Sequence, residues 1–334
     1  MRAMAAAAFG AVENNPLSMA DLPVPPAGPG KILVRVRRCG VCHTDLHVVE
    51  GELPAVKLPI IPGHEVVGTV EKRGEGAEKF REGDRVGVAW LHSACGECRF
   101  CREGRENLCD KARFTGCQVD GGYAEFLAVP EAFAYRLPEV FTDEEAAPLL
   151  CAGIIGYRAL RLSSVRPGER LGLYGFGASA HVAIQIARHW GCEVYVFTRS
   201  EEHRELARSL GAAWTGNSKD IPPERMAGSI IFAPAGEIVS DALEGVERGG
   251  TVVTAGIYMT AVGRLDYARH LYQEKILRSV ANATRRDGEG LLELASRIPV
   301  RTACRVFPLE EANAALQLLK AGRINGAAVL KIAD

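Results

Sequence analysis

At 334 residues the chain has room for two domains, each with its own core, and 47% hydrophobic residues describe a globular protein. A net charge of −1 excludes the positive field that nucleic acid or an anionic membrane would require, and no apolar run approaches the roughly 20 residues that span a bilayer. Ten cysteines, with an Ala-rich opening at residues 1–9 that reads as a strand rather than a signal peptide, predict a cytoplasmic protein whose thiols bind metal instead of pairing.

Residues 23–30 form a Pro/Gly-rich turn. Residues 31–38 then alternate, with Ile32, Val34 and Val36 on one side and Arg35 and Arg37 on the other, which predicts a half-buried strand. That strand delivers Cys42-His43-Thr44-Asp45-Leu46-His47, where thiolate, imidazole and carboxylate crowd into one turn as at a zinc site and its supports. Further ligands are available in Gly63-His64-Glu65 and at Cys151. Two Cys and one His would leave a fourth position open, the mark of a catalytic rather than a structural zinc. A turn at 59–63 and strands at 65–72, 83–88 and 121–129 complete a β-rich first domain.

Among those strands lies Cys95-Gly96-Glu97-Cys98-Arg99-Phe100-Cys101, followed by Cys109. Four cysteines spaced x2, x2, x7 fit one closed tetrahedral zinc–sulfur site that holds a lobe together. A nucleic-acid zinc ribbon would need two separated CxxC knuckles and a basic surface, and the chain has neither. Trp90, just ahead of the lobe, reads by default as a core aromatic; His92 reads as a loop residue. Cys39, Cys192 and Cys304 have no partners at ligand spacing and read as buried apolar residues.

Thr142-Asp143-Glu144-Glu145 has the capping-box pattern, so a helical stretch follows, with Cys151 in it or just after it. From there strand and helix alternate: a helix at 158–162, strands at 171–174, 192–198, 229–233 and 251–256, and a helix at 201–210 with a solvated charged face. This is the pattern of a parallel doubly wound sheet. Gly175-Phe176-Gly177-Ala178-Ser179-Ala180 sits between strand and helix, as a dinucleotide loop requires. Gly175 permits the tight turn, Gly177 the approach of a pyrophosphate, and Ala180 close helix–strand packing. His181 packs at the helix start. At the end of the second strand Thr198, Arg199 and Ser200 stand where an NAD site carries a carboxylate for the ribose diol. Nothing there repels a 2′-phosphate and Arg199 can pair with one, which favours NADP over NAD.

With both cysteine sets, the glycine loop and their order in view, the sequence resembles the zinc-dependent medium-chain alcohol dehydrogenases over nearly its whole length, the shorter microbial members in particular. The resemblance implies a β-rich GroES-like catalytic domain at 1–150, a Rossmann domain at 151–282, and a return to the catalytic domain at 283–334. Cys42, His64 and Cys151 fall on the catalytic zinc ligands, a Cys2His set for which alcohol dehydrogenase is itself the standard example. Cys95, Cys98, Cys101 and Cys109 fall on the structural zinc, giving two Zn2+ per chain. Thr44 would take the alcohol's proton, His47 would pass it to solvent through the cofactor ribose, and His43 would contact the cofactor phosphate. Asp45 would orient the His64 ring, Glu65 would lie behind the metal, Trp90 would line the substrate pocket, and Gly256 would join Gly175, Gly177, Ala180, Thr198 and Arg199 at the cofactor. Ile155, Cys117 and Ala327 depart from residues the family often carries (Thr, Tyr and Arg). The implied activity is hydride transfer between an alcohol and NAD(P) in a homodimer or homotetramer acting on a small molecule. Competing readings are a polyol or cinnamyl-type dehydrogenase, or a zinc or nucleotide sensor; a sensor would not need the Thr44–His47 relay.

Overall fold

The structure is a computed structural model that describes residues 1–298 and 300–334. It contains two compact units, Met1–Cys151 with Thr284–Ser296 and Arg301–Asp334 in the first, and Ala152–Ala283 with Arg297–Val300 in the second.

The first unit is built on the long strand Lys31–Val41. Its first half pairs antiparallel with Phe126–Pro130, its second half with Ala327–Lys331, and Glu65–Arg73 runs along its other edge. Arg85–Val88 and Ala134–Arg136 extend the sheet on that side, and Cys304–Pro308 extends it beyond Ala327–Lys331. The alternation read in the sequence holds in part: Ile32, Val34 and Val36 are buried and Arg35 is exposed, but Leu33 is buried as well and Arg37 is half-buried. Register shifts at Leu33/Val34 and Val36/Arg38 bend the strand, the effect a bulge has, before it ends at Cys42.

Some elements are shorter than expected. Residues 1–9 contain a strand only at Arg2–Ala6, paired with Leu17–Asp21; the amide and carbonyl of Ala6 also bond Ile60. The strand expected from 121 starts at Phe126 because the amides of Gly121, Gly122 and Tyr123 bond the carbonyls of Ile61, Gly63 and Pro62 instead. A Cβ on Gly121 would come within 2.2 Å of the Gly63 carbonyl oxygen. The diglycine thus lets the chain lie flat across the turn that presents His64. His92 is not in a loop: it is buried in the strand Leu91–Ser93, which pairs with Arg113–Phe114.

The second unit holds a six-stranded parallel sheet. In chain order its strands are Arg170–Tyr174, Glu193–Phe197, Trp214–Gly216, Met226–Ile231, Val246–Thr254 and Ile276–Ser279, and in space they run third, second, first, fourth, fifth, sixth. That is the doubly wound dinucleotide-binding order. Leu171, Leu173, Val194, Val196, Ile230, Ile231, Val252 and Val253 are fully buried, as a sheet covered on both faces demands. The helix expected at 158–162 begins earlier and spans Ala152–Leu162. Its Gly156 packs against the Ser179 carbonyl, where a Cβ would come within 2.8 Å, so close packing overrides the poor helix propensity of glycine. Among the described residues no helix is long and apolar enough to cross a membrane.

Candidate active site

Cys42 is the N-cap of the helix His43–Glu50, which starts directly after the central strand. Its Sγ accepts the Thr44 amide at 3.2 Å, and Asp45 completes a capping box by accepting the Cys42 amide at 2.9 Å. The other oxygen of Asp45 accepts the Gly63 amide at 3.1 Å and lies 2.9 Å from Nδ1 of His64, both side chains being buried. One carboxylate thus fixes the helix start, the turn and the imidazole. With Nδ1 held, His64 turns Nε2 toward Cys42 Sγ, 3.3 Å away. Cys151 follows the short helices Asp143–Ala146 and Ala147–Leu150, which begin at the capping box on Thr142. It joins the group, and the candidate ligand atoms of Cys42, His64, Glu65 and Cys151 all lie within 4.8 Å of one another.

Electrostatics mark this cluster as a place for a cation. Cys42 is held well below the ordinary thiol range by a hydrogen bond from Cys151, despite burial, and by His64. Burial works against a charge on His64, yet Asp45 and the Cys42 thiolate push its pKa well up. Burial, then the Cys42 charge, pushes the Glu65 carboxyl up. A divalent cation neutralises such a ligand set by displacing its protons. The 3.3 Å sulfur–nitrogen edge is close to that of a tetrahedron built with bonds of about 2.0–2.3 Å. The residues fit zinc.

Glu65 reaches its place because residue 40 has no side chain. Gly40 pairs with Glu65 across the strands, and a Cβ on it would lie 1.8 Å from Glu65 Oε2. Nothing in the sequence pattern singled out Gly40. Trp90 meets the His64 ring edge-on at 5.0 Å between centroids and stacks on Phe114 at 5.1 Å; its Nε1 has no partner among the described residues. Phe114 also escaped the sequence reading. Thr44 is buried, His43 is exposed, and His47, one turn after Thr44, has Nδ1 2.5 Å from Glu52. Cys117 is buried, and burial raises its pKa to about 11. Cys39 and Cys192 are buried as expected. Cys304 is only half-buried, its thiol donating to the Glu144 carbonyl at 3.2 Å.

The second cysteine set also converges. Cys95 Sγ lies 3.5 Å from that of Cys109 and 3.9 Å from that of Cys101, against sulfur–sulfur edges of about 3.8 Å around zinc. The amides of Cys98 and Glu97 draw Cys95 down to about 6. Glu106, between Cys101 and Cys109, is buried and accepts both the amide and Nε of Arg285, tying the lobe to the C-terminal return of the first unit.

In the second unit Gly175 has φ +85°, and a Cβ there would lie 2.8 Å from the Ala233 amide nitrogen, so glycine is required twice over. Gly177 caps the helix Ala178–His189 with no side-chain cap, and a Cβ on it would meet nothing within 4 Å. Free helix amides beside open space suit a pyrophosphate. Ala180 and His181 are buried in the first turn. Thr198 is buried just past the second strand, Arg199 is exposed, and Gly256 lies past Val246–Thr254, close to the Tyr258 carbonyl. Ile155 is half-buried in the helix Ala152–Leu162, and Ala327 opens the strand Ala327–Lys331.

A doubly wound dinucleotide sheet, a Cys2His cluster beside a buried glutamate, and a separate four-cysteine lobe define a zinc-type oxidoreductase. The alcohol dehydrogenase GroES-like domain matches residues 28–139 and the zinc-binding dehydrogenase domain residues 180–297. The chain is 49% identical to the probable alcohol dehydrogenase AdhA of Mycobacterium tuberculosis, over 97% of this chain and 95% of that one. Its fold superposes on a cinnamyl alcohol dehydrogenase of Sorghum bicolor with a TM-score of 0.90 at 30% identity, covering 99% and 97% of the two chains. It superposes on the enzyme named CAD from Helicobacter pylori, solved with NADP(H), at 0.89 and 25% identity, again over 99% and 97%. The chain belongs to the zinc-dependent medium-chain alcohol dehydrogenase family.

Proposed function

We propose that the enzyme interconverts a small alcohol and its aldehyde or ketone using NAD(P), with two zinc ions per chain. The observation that carries this reading is the convergence of Cys42, His64 and Cys151 within 4.8 Å, with Asp45 holding the histidine. A zinc ion held by those three residues would supply Lewis-acid polarisation of a carbinol or carbonyl oxygen, and NAD(P) would accept or supply the hydride. The Thr44 hydroxyl takes the alcohol's proton in oxidation, and His47 hands it to solvent. Glu65 stands behind the ligand set, and Cys95, Cys98, Cys101 and Cys109 hold the structural ion.

Residues 1–150 and 283–334 serve as the catalytic domain and 151–282 as the cofactor domain in this reading, with His43, Gly175, Gly177, Ala180, Thr198, Arg199 and Gly256 against the dinucleotide. The exposed Arg199, with no carboxylate at 198–200, supports NADP over NAD. Ten free thiols support a reducing, cytoplasmic setting. Exposed Tyr267, Tyr272 and Ile276, the last on the outermost strand of the parallel sheet, support a homodimer or homotetramer. The Trp90–Phe114 stack beside His64 favours an aromatic, cinnamyl-type substrate over a polyol.

The test is absorbance at the reduced-nicotinamide band with zinc-analysed protein, NAD and NADP offered separately against aliphatic, aromatic and polyhydric alcohols. Turnover with two zincs per chain is expected. Full zinc with no turnover of any alcohol or aldehyde would refute the activity and leave a binding role.

A further inference from the structure

The helix that begins at Cys42 ends in a way that bears on His47. Gly51, at φ +76°, donates its amide to the Val48 carbonyl at 3.2 Å, and the Glu52 amide donates to the His47 carbonyl at 2.9 Å. These two bonds make the Schellman closure, in which the second residue past the helix folds back onto the residue three before the cap. That contact is ordinarily apolar. Here the two residues are Glu52 and His47, and the closure sets a carboxylate oxygen 2.5 Å from Nδ1 of the imidazole. The His47 side chain is 15% exposed and that of Glu52 46%, so the carboxylate faces solvent while the ring is mostly covered.

We propose that Glu52 is the positioning residue of His47: it holds the ring by Nδ1–H and keeps Nε2 as the atom that accepts and releases the proton. The inference rests on the reading of His47 as the proton exit. A neutral imidazole carries one proton, and a carboxylate at Nδ1 selects the tautomer with that proton on Nδ1. Nε2 is then the basic atom, and the anion steadies the imidazolium when it forms. Other titratable groups stand on the same helix and on the elements packed against it. His43 lies one turn earlier on the same helix; desolvation, and then the charge of His47, lower its pKa against the pull of Cys42. Lys320 and Glu13, from elements packed on the helix, engage Glu50 and each other: Lys320 Nζ is 2.7 Å from Glu50 and 3.0 Å from Glu13.

The test uses zinc-loaded, cofactor-free protein labelled with 15N-histidine, with His47 assigned by Glu52-intact His47→Gln. In the wild type the His47 ring is expected as the Nδ1–H tautomer. In Glu52→Gln it becomes a mixture of tautomers, and in Glu52→Asp, which keeps the charge, it returns toward wild type. In turnover, Glu52→Gln alters the rate–pH profile of the wild type and Glu52→Asp restores it. His47→Gln alters the profile as well. Unchanged ring spectra in Glu52→Gln overturn the positioning role. If the ring changes but His47→Gln and Glu52→Gln both leave the profile unaltered, His47 is not the proton exit and the catalytic role of Glu52 falls with it.

Discussion

Replacing Gly40 with Ala pits two effects of opposite sign against each other. Gly40 has no positive φ, so the backbone accepts alanine, and on that ground alone the substitution would stabilise the protein by about 0.4–1 kcal/mol through the unfolded chain. The packing says otherwise. The new methyl would lie 1.8 Å from Glu65 Oε2, 2.7 Å from its Cδ and 2.8 Å from its Cβ. The carboxylate tip could swing away, but the contact at Cβ requires the strands to part, and Glu65 is buried. Overpacking of this kind costs about 1–3 kcal/mol, so the net expectation is a loss of about 1–2 kcal/mol. The assay is the urea midpoint of zinc-loaded protein, read for Gly40→Ala, Glu65→Ala and the double variant. Because Glu65→Ala removes the two closest contacts, the double variant should be less destabilised than the sum by about 1 kcal/mol or more. A neutral or stabilising Gly40→Ala, or additivity within about 0.5 kcal/mol, would refute the claim that Gly40 makes the berth for Glu65.

Three further outcomes are expected. Cys42→Ala should bring elemental zinc from two per chain to one and abolish turnover, while the four-cysteine lobe keeps its ion; undiminished turnover would contradict the assignment of the catalytic ligands. Asp45→Asn should weaken zinc by about 10–100-fold in competition with a chelator, since it removes the charge that holds His64 Nδ1 and replaces with an amide group one of the two oxygens that accept from Cys42 (Oδ2) and from Gly63 and His64 (Oδ1). Arg199→Ala should lower kcat/KM for NADP by about tenfold or more, the worth of a charge-assisted hydrogen bond, and leave NAD within about twofold. Equal losses with both cofactors would mean that Arg199 does not read the 2′-phosphate.

What the sequence displayed and what it concealed follow from how each residue acts. The convergence of Cys42, His64 and Cys151, and of the four lobe cysteines, was legible because metal ligation restricts residue type, and few other demands place thiols and imidazoles at those spacings. Gly175 was legible because a strand–turn–helix needs glycine there. Phe114 was not, since a phenylalanine in a short strand has many reasons to exist, and only the fold stacks it on Trp90. The late start of the strand at Phe126 was hidden for a related reason: the carbonyls that take the Gly121 and Gly122 amides belong to residues about 60 positions away. Gly40 acts by having no side chain, and such a role becomes visible only when the neighbouring strand brings Glu65 over it. Glu52 lies between these extremes. Its signal is local, since a glycine after a helical pattern announces the closure, and the closure pairs residue 52 with residue 47 through backbone bonds within one helix end. The candidate ligands are therefore written in residue identity and the scaffold around them in three-dimensional packing. The His47–Glu52 pair is written in the geometry of one helix end, where counting back from a C-terminal glycine finds the partner of the histidine.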